Sequence, residues 1–234
     1  MGRHFEVRAA AMAATAKAKS AANMRASKEI YAAAKSGIPD PESNLALRNA
    51  IEKYRKTVSK DVIERAIEKA KGGDATAYIQ GRYEFFGPGG SYLIIDTLTD
   101  NVNRALVSVR TIVTRKGGHM GTVSYNFQYM GIIDFKGTDP DSVTDNLIMG
   151  DVDVQNVTCE DGEIEVQVTP SDLDKAKKVL QDSGVTDFDT CENTMLPNEY
   201  ITLEGDDLQH FKDLLAELDE CEDVQAVYHN VENA

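Results

Sequence analysis

Two glycine-rich turns, Gly87-Pro-Gly-Gly90 and Lys116-Gly-Gly-His-Met-Gly121, bracket one apolar strand and one amphipathic helix. Tyr78–Phe86 and Tyr92–Leu98 read as strands on either side of the first turn, because Pro presets φ and Gly accepts positive φ there. Asp100 or Asn101 then caps a helix from Val102 to Lys116. Its buried side is Val102, Ala105, Leu106, Val109, Ile112 and Val113. A hairpin followed at once by a helix with one apolar face predicts a helix packed on an antiparallel sheet, the start of an α+β sandwich.

The flanks extend this pattern. Arg8–Lys35 has no internal Gly or Pro and predicts a long helix, stopped by Gly37-Ile-Pro-Asp-Pro41. A second helix is expected over Ser43–Lys56. Ser59 looks like the cap of a third, which ends at Gly72-Gly73. After a strand at Thr122–Tyr129, the block from Gly131 reads strand, helix (141–149), strand (152–159), strand (163–168), helix (171–183), strand (186–191). That is the βαββαβ order of a ferredoxin-like unit. Without this block, the strand at Tyr92, the helix at Val102 and the strand at Thr122 join a strand at Tyr200–Leu203, a helix at Asp206–Leu218 and a strand at Val224–Tyr228. The expected fold is therefore α+β: a helical N-terminal domain (1–76) before two ferredoxin-like units. The acidic one (131–196) is inserted into a split one (77–130 plus 197–234).

Charge divides along the same lines. Residues 1–72 carry 15 Lys/Arg against 8 Asp/Glu, a net of +7. Residues 131–234 carry 5 against 27, a net of −22. Only the N-terminal end should approach phosphate readily. The acidic half either solubilises the chain or serves basic protein partners. No apolar run approaches the roughly 18 residues of a membrane span, so a cytoplasmic protein is expected. Met1–Lys28, Ala-rich and basic with Glu6 as its only acid, reads as helix as readily as it reads as a transit leader. Cys159, Cys191 and Cys221 are far apart, which suggests reduced thiols and no zinc or disulfide framework.

Chemistry-bearing residues point to binding. Lys17, Lys19, Arg25, Lys28 and Lys35 lie along the first helix, with Arg48, Lys53, Arg55 and Lys56 on the next. Such a patch is the electrostatic footprint of nucleic-acid binding, and equally a means of keeping a helix soluble. On the central helix Arg104, Ser108, Thr111 and Arg115 form one stripe at i, i+4, i+7, i+11, with Lys116 at its end. The stripe suits phosphate contacts or simply solvent. Gly87, Gly89, Gly90, Gly117 and Gly118 are candidate backbone-contact loops for phosphate, or a hairpin turn and a helix C-cap. His4, His119, His210 and His229 are scattered without a nucleophile motif, so no catalytic residue, cofactor or metal is expected. Asp219-Glu-Cys-Glu-Asp223 places acids at a helix end, where they oppose the dipole.

The run Gly-Pro-Gly-Gly, then Asp100-Asn-Val-Asn-Arg104, then Lys-Gly-Gly-x-x-Gly resembles the central signature of the YebC/PmpR family. Asp223-Val-Gln-Ala-Val-Tyr-His-Asn230 is similar to its C-terminal signature. Glu29–Asn44, Val62–Gly73 and Phe135–Pro140 resemble the family too, especially its YeeN-like branch. The Lys-Trp start common in the family reads Gly2-Arg-His-Phe-Glu-Val-Arg8 here, and the stretch after Gly121 is about two residues shorter. The resemblance implies the same three-domain layout and a non-enzymatic protein. Members are described as probable DNA-binding transcriptional regulators, others as ribosome-associated translational activators, which implies binding to rRNA or tRNA and help in forming difficult peptide bonds. A third reading, tandem ferredoxin-like units binding a small molecule or peptide, needs no nucleic acid.

Overall fold

The computed structural model describes residues 3–72 and 77–234, with side chains from residue 18 onward. The chain forms two compact units, one from the segment up to Val123 together with Tyr200–Ala234, the other from Ser124–Glu199. The fold is α+β.

The larger unit begins with three helices, α1 (Arg3–Lys35), α2 (Leu45–Tyr54) and α3 (Lys60–Lys71). Ala26, Ile30 and Ala34 recur every fourth residue on α1. With Tyr31 they pack on Leu47 and Ala50 of α2 and Ile63, Ala66 and Ala70 of α3. The alanines allow close approach of the helices. Asn44 clamps the corner. Its Oδ1 accepts from the Leu47 N–H, capping α2, while its Nδ2 donates to the carbonyls of Ala33 and Ile38. Ser59 sits at the cap position of α3 without a side-chain hydrogen bond.

The rest of this unit is a four-stranded antiparallel sheet of β1 (Ile79–Phe86), β2 (Tyr92–Thr99), β3 (His119–Met120) and β8 (Val224–His229), in the order β3-β1-β2-β8. Helices α4 (Val102–Arg115) and α7 (Gly205–Asp219) pack on it. Phe85, Leu93 and Ile95 meet Val109, Val113, Phe211, Leu214 and Leu218 there. Asn101, not Asp100, caps α4 through its Oδ1 and the Arg104 N–H.

Two expected strands differ. The Thr122–Tyr129 segment is not a strand of this sheet. Gly121 and Val123 donate to the carbonyl and carboxylate of Glu84, so only His119–Met120 pair with β1 before the chain leaves through a 3-10 turn at Ser124–Asn126. Tyr200–Leu203 alternates like a strand because Leu203 is buried. It forms only a parallel bridge from Ile201 to Val231, and Asn233 holds both polar groups of the Leu203 backbone. The place beside β2 that a ferredoxin-like order assigns to that strand is taken by β1.

The second unit runs β4 (Phe127–Lys136), α5 (Pro140–Met149), β5 (Val154–Glu160), β6 (Glu163–Val168), α6 (Leu173–Asp182) and β7 (Thr190–Pro197), with sheet order β5-β6-β4-β7. This is the expected βαββαβ arrangement. Ile133, Phe135, Ile164, Val166 and Val168 face Leu147, Ala176 and Leu180. Strand β7 begins later than the Thr186 expected from the sequence. Val185 and Phe188 pack on this core from a loop instead, and Asp189 donates to the Asp134 carbonyl where pairing starts.

One ionic cluster ties α1 to the sheet. Lys28 is 6% exposed and Asp223 is 5% exposed. The Lys28 ammonium donates to an Asp223 carboxylate oxygen at 2.9 Å and to the Glu222 carbonyl at 2.8 Å. Arg104 adds Nε and Nη2 contacts to the same carboxylate at 3.1 Å, and a bond to Asp100 at 2.8 Å. Burial alone would raise the Asp223 carboxyl, but the bonds from Arg104 and Lys28 outweigh it and hold the group below the usual carboxylate range. Asp223→Asn leaves two cations facing each other, and a loss of about 3–5 kcal/mol is expected, read as a lower urea midpoint at neutral pH. Because the folded pKa is depressed, this stabilisation is present above pH of about 4 and lost as pH falls through the folded value. An unchanged midpoint would show that the cluster does not stabilise the unit.

Candidate nucleic-acid interface

The structure places the basic residues singled out from the sequence in three different settings. Lys17 lies on α1, and its side chain is outside the described residues. Lys19 is exposed. Arg25 donates to the Asp219 carboxylate at 2.7 Å and also to the Asp219 carbonyl, and Lys28 is buried in the Asp223 cluster. Lys35 donates to the Gly72 carbonyl at 3.4 Å and lies over the Tyr31 ring. Arg48 donates to the Pro41 and Glu42 carbonyls, closing the loop before α2. A groove of about 720 Å³ lies between Pro39, Pro41, Ile67 and the exposed edge of α3, where Arg65 pairs with Asp61 and Lys71 with Glu68.

The α4 stripe meets α7. Arg104 is held by Asp223 and Asp100, and its guanidinium is raised in pKa first by the Asp223 bond. Arg115 pairs with Glu217, and Lys116 lies 3.1 Å from Asp213 and 3.4 Å from Glu217. The Asp213 bond raises Lys116. Asp213 is lowered by its bonds from Gln209 and Lys116. Thr111 returns its hydroxyl to the Val107 carbonyl. Arg110 is exposed on α4 outside this stripe, one turn from the exposed Val107.

Gly87, Gly89 and Gly118 are closely packed, whereas Gly90 and Gly117 have open space beside them. A Cβ on Gly89 (φ 62°) would lie 2.5 Å from Leu203 Cδ2, so this residue lets the turn sit against the start of α7. Pro88 is buried, and Ser91 donates to its carbonyl through both N–H and hydroxyl. Gly87 closes the hairpin by donating to the Ser91 carbonyl, and Gly90 faces open space. Gly117 (φ 87°) ends α4, and Gly118 lies against β1, where a Cβ would be 2.5 Å from Val113 Cγ1 and 2.6 Å from the Phe86 carbonyl oxygen.

No group of three or more His, Cys, Asp or Glu able to hold a metal occurs among the described residues. No helix among them is long and apolar enough to cross a membrane. His119 stacks on Phe86. His229 is packed edge-on against Phe211, and its Nδ1 accepts from the Val231 N–H. Burial lowers its pKa.

Two outcomes follow. Gly118→Ala should destabilise the larger unit by about 1–3 kcal/mol through overpacking, read as a lower urea midpoint; an unchanged midpoint would show that the turn accommodates the methyl group without strain. Because burial lowers the His229 pKa in the folded chain, the unfolded chain takes up the proton first as pH falls. Stability should fall as pH drops below about 6.5, and His229→Gln should flatten that part of the urea-midpoint profile.

Comparison with known proteins covers nearly the whole chain. Residues 3–73 match the family model described as TACO1/YebC protein N-terminal domain, and residues 78–231 match TACO1/YebC second and third domain. The chain is 48% identical over 209 residues to the "Probable transcriptional regulatory protein YeeN" of Escherichia coli, spanning 88% of each protein. The same identity and coverage hold for the "Probable transcriptional regulatory protein YcdB" of Lactococcus lactis. A crystal structure of a conserved hypothetical protein from Aquifex aeolicus superposes with a TM-score of 0.73 at 29% identity, covering 89% of this chain and 88% of that one. With the helical bundle and both α/β units matched, the chain belongs to the TACO1/YebC family.

Proposed function

We propose that this chain is a cytoplasmic, non-enzymatic regulator of gene expression that binds nucleic acid through its basic helical bundle and acts on transcription. The observation that carries this reading is the excess of 15 Lys/Arg over 8 Asp/Glu in residues 1–72. Lys19, Arg55, Lys56, Lys60 and Lys71 of that bundle are exposed. Cations spread over helices supply sequence-independent affinity for phosphate. The names of the Escherichia coli and Lactococcus lactis relatives support transcription as the level of control.

A second reading, a ribosome-associated translation factor, is favoured by one specific observation. The net −22 of residues 131–234 would repel free duplex, whereas a ribosome offers phosphate and basic proteins together.

Binding of a labelled DNA duplex and an RNA hairpin, measured across a salt series, tests the shared claim. Affinity should fall steeply with salt. Lys19→Glu, Arg55→Glu and Lys56→Glu together should weaken binding and reduce the log–log salt slope by about 2–3. Absence of binding to both probes at low salt would overturn the reading in favour of a peptide- or small-molecule-binding module. Sucrose-gradient sedimentation of cell extract then separates the two levels of control: RNase-sensitive co-migration with ribosomal particles selects translation, and a position at the top of the gradient selects transcription.

A further inference from the structure

The acids of α7 and of the turn after it recur as Asp213, Glu217, Asp219 and Asp223, and each is seated on a cation that the sequence marks for phosphate. Asp213 takes Lys116, Glu217 takes Arg115 and Lys116, Asp219 takes Arg25, and Asp223 takes Lys28 and Arg104.

These contacts are of two kinds. In the Asp223–Lys28 pair both side chains are buried, at 6% and 7% exposed, so this contact is structural. The other three carboxylates are open to water, with Asp219 54%, Asp213 43% and Glu217 33% exposed. The cations differ: Arg115 is 60% exposed and its pair is of the surface kind that salt competes, whereas Arg25 and Lys116 are 17% and 19% exposed beneath the carboxylates that cover them. Arg25 is incompletely satisfied, because its buried Nε has no acceptor. The local helix does not call for these acids either. Glu217 and Asp219 lie in the last turn of α7, where negative charge opposes the dipole. What they match is the spacing of Arg25, Arg115 and Lys116 on α1 and α4.

Resting on the nucleic-acid reading above, we infer that Asp213, Glu217 and Asp219 are built-in stand-ins for backbone phosphates. They occupy Arg25, Arg115 and Lys116 in the free protein, and a nucleic-acid strand displaces them. A phosphodiester carries the same charge as a carboxylate and offers bidentate geometry to a guanidinium. Several in a row replace three separate acids at once. The masked seam therefore answers to a dense phosphate array and stays silent toward isolated anions and to acidic protein surfaces.

The test is the triple variant Asp213→Asn, Glu217→Gln, Asp219→Asn, which leaves the buried Asp223 in place. Its affinity for a labelled RNA hairpin and a labelled DNA duplex is measured by anisotropy across a salt series, with folding checked by circular dichroism. Affinity should rise about five- to tenfold at low salt, and the log–log slope should steepen by about 2–3, because in the unchanged protein the three displaced carboxylates take up counterions that offset those the phosphates release. Glu204→Gln, Asp206→Asn, Asp207→Asn changes the net charge equally at the other end of α7 and should produce little of this gain. Arg115→Gln and Lys116→Gln added to the first variant should reverse most of it. If the charge-matched variant gains as much, or the slope stays unchanged, the masking idea is overturned while the binding reading stands. If no protein binds either probe at low salt, the binding reading fails first. The single variant Glu217→Gln, expected to gain about one unit of slope, serves if the triple variant unfolds.

Discussion

The contact on which the larger unit depends is the carboxylate of Asp223, shared by Lys28 and Arg104. It joins three pieces that are far apart in sequence: the long first helix, the helix after the hairpin, and the turn that opens the last strand. Lys28 and Asp223 are buried with the half-exposed Arg104 at their edge, and a buried pair carrying a second cation tolerates no loss of the anion. The cluster also takes up polar groups that the sheet leaves over. Lys28 reaches the Leu98 and Glu222 carbonyls, and Arg104 reaches the Thr99 hydroxyl. The helical bundle is therefore attached to the sheet by specific polar contacts.

From that anchor the acidic C-terminal helix runs back along α4, and its exposed carboxylates meet the remaining basic residues. The glycine turns allow this close packing. Gly89 admits Leu203 and the first turn of α7, and Gly118 admits the end of α4 against β1. The segments that looked most like a phosphate cradle are where backbone meets side chain at short range. The exposed basic side chains lie elsewhere, on the outer faces of the helical bundle.

Much of the secondary structure was legible because each element carries its own signal. Asn101 is a short polar side chain before an apolar repeat, and it caps α4; Asn44 caps α2 from a position that the sequence pattern placed inside the helix. The alternation Glu163-Ile-Glu-Val-Gln-Val168 is a strand with one buried face. The misread segments are those where an apolar residue is buried without pairing its backbone. Val123, Val185, Phe188 and Leu203 all pack on cores from loops, and local alternation cannot tell such an anchor from a strand. The candidate site was legible as a set of cations but not as a set of free ones. Arg25, Lys28, Arg104, Arg115 and Lys116 find acids roughly 100 to 200 positions away, and no local spacing reports that.

By itself the sequence determined the α+β class, the helical start, the inserted βαββαβ block and the split of charge, since these follow from periodicity, capping residues and composition within short windows. The tertiary structure alone decided which strand stands beside β2, which glycines are packing contacts, and which basic residues are already paired. Those outcomes rest on contacts between segments brought together only when the core closes, where burial and charge pairing outweigh local preference.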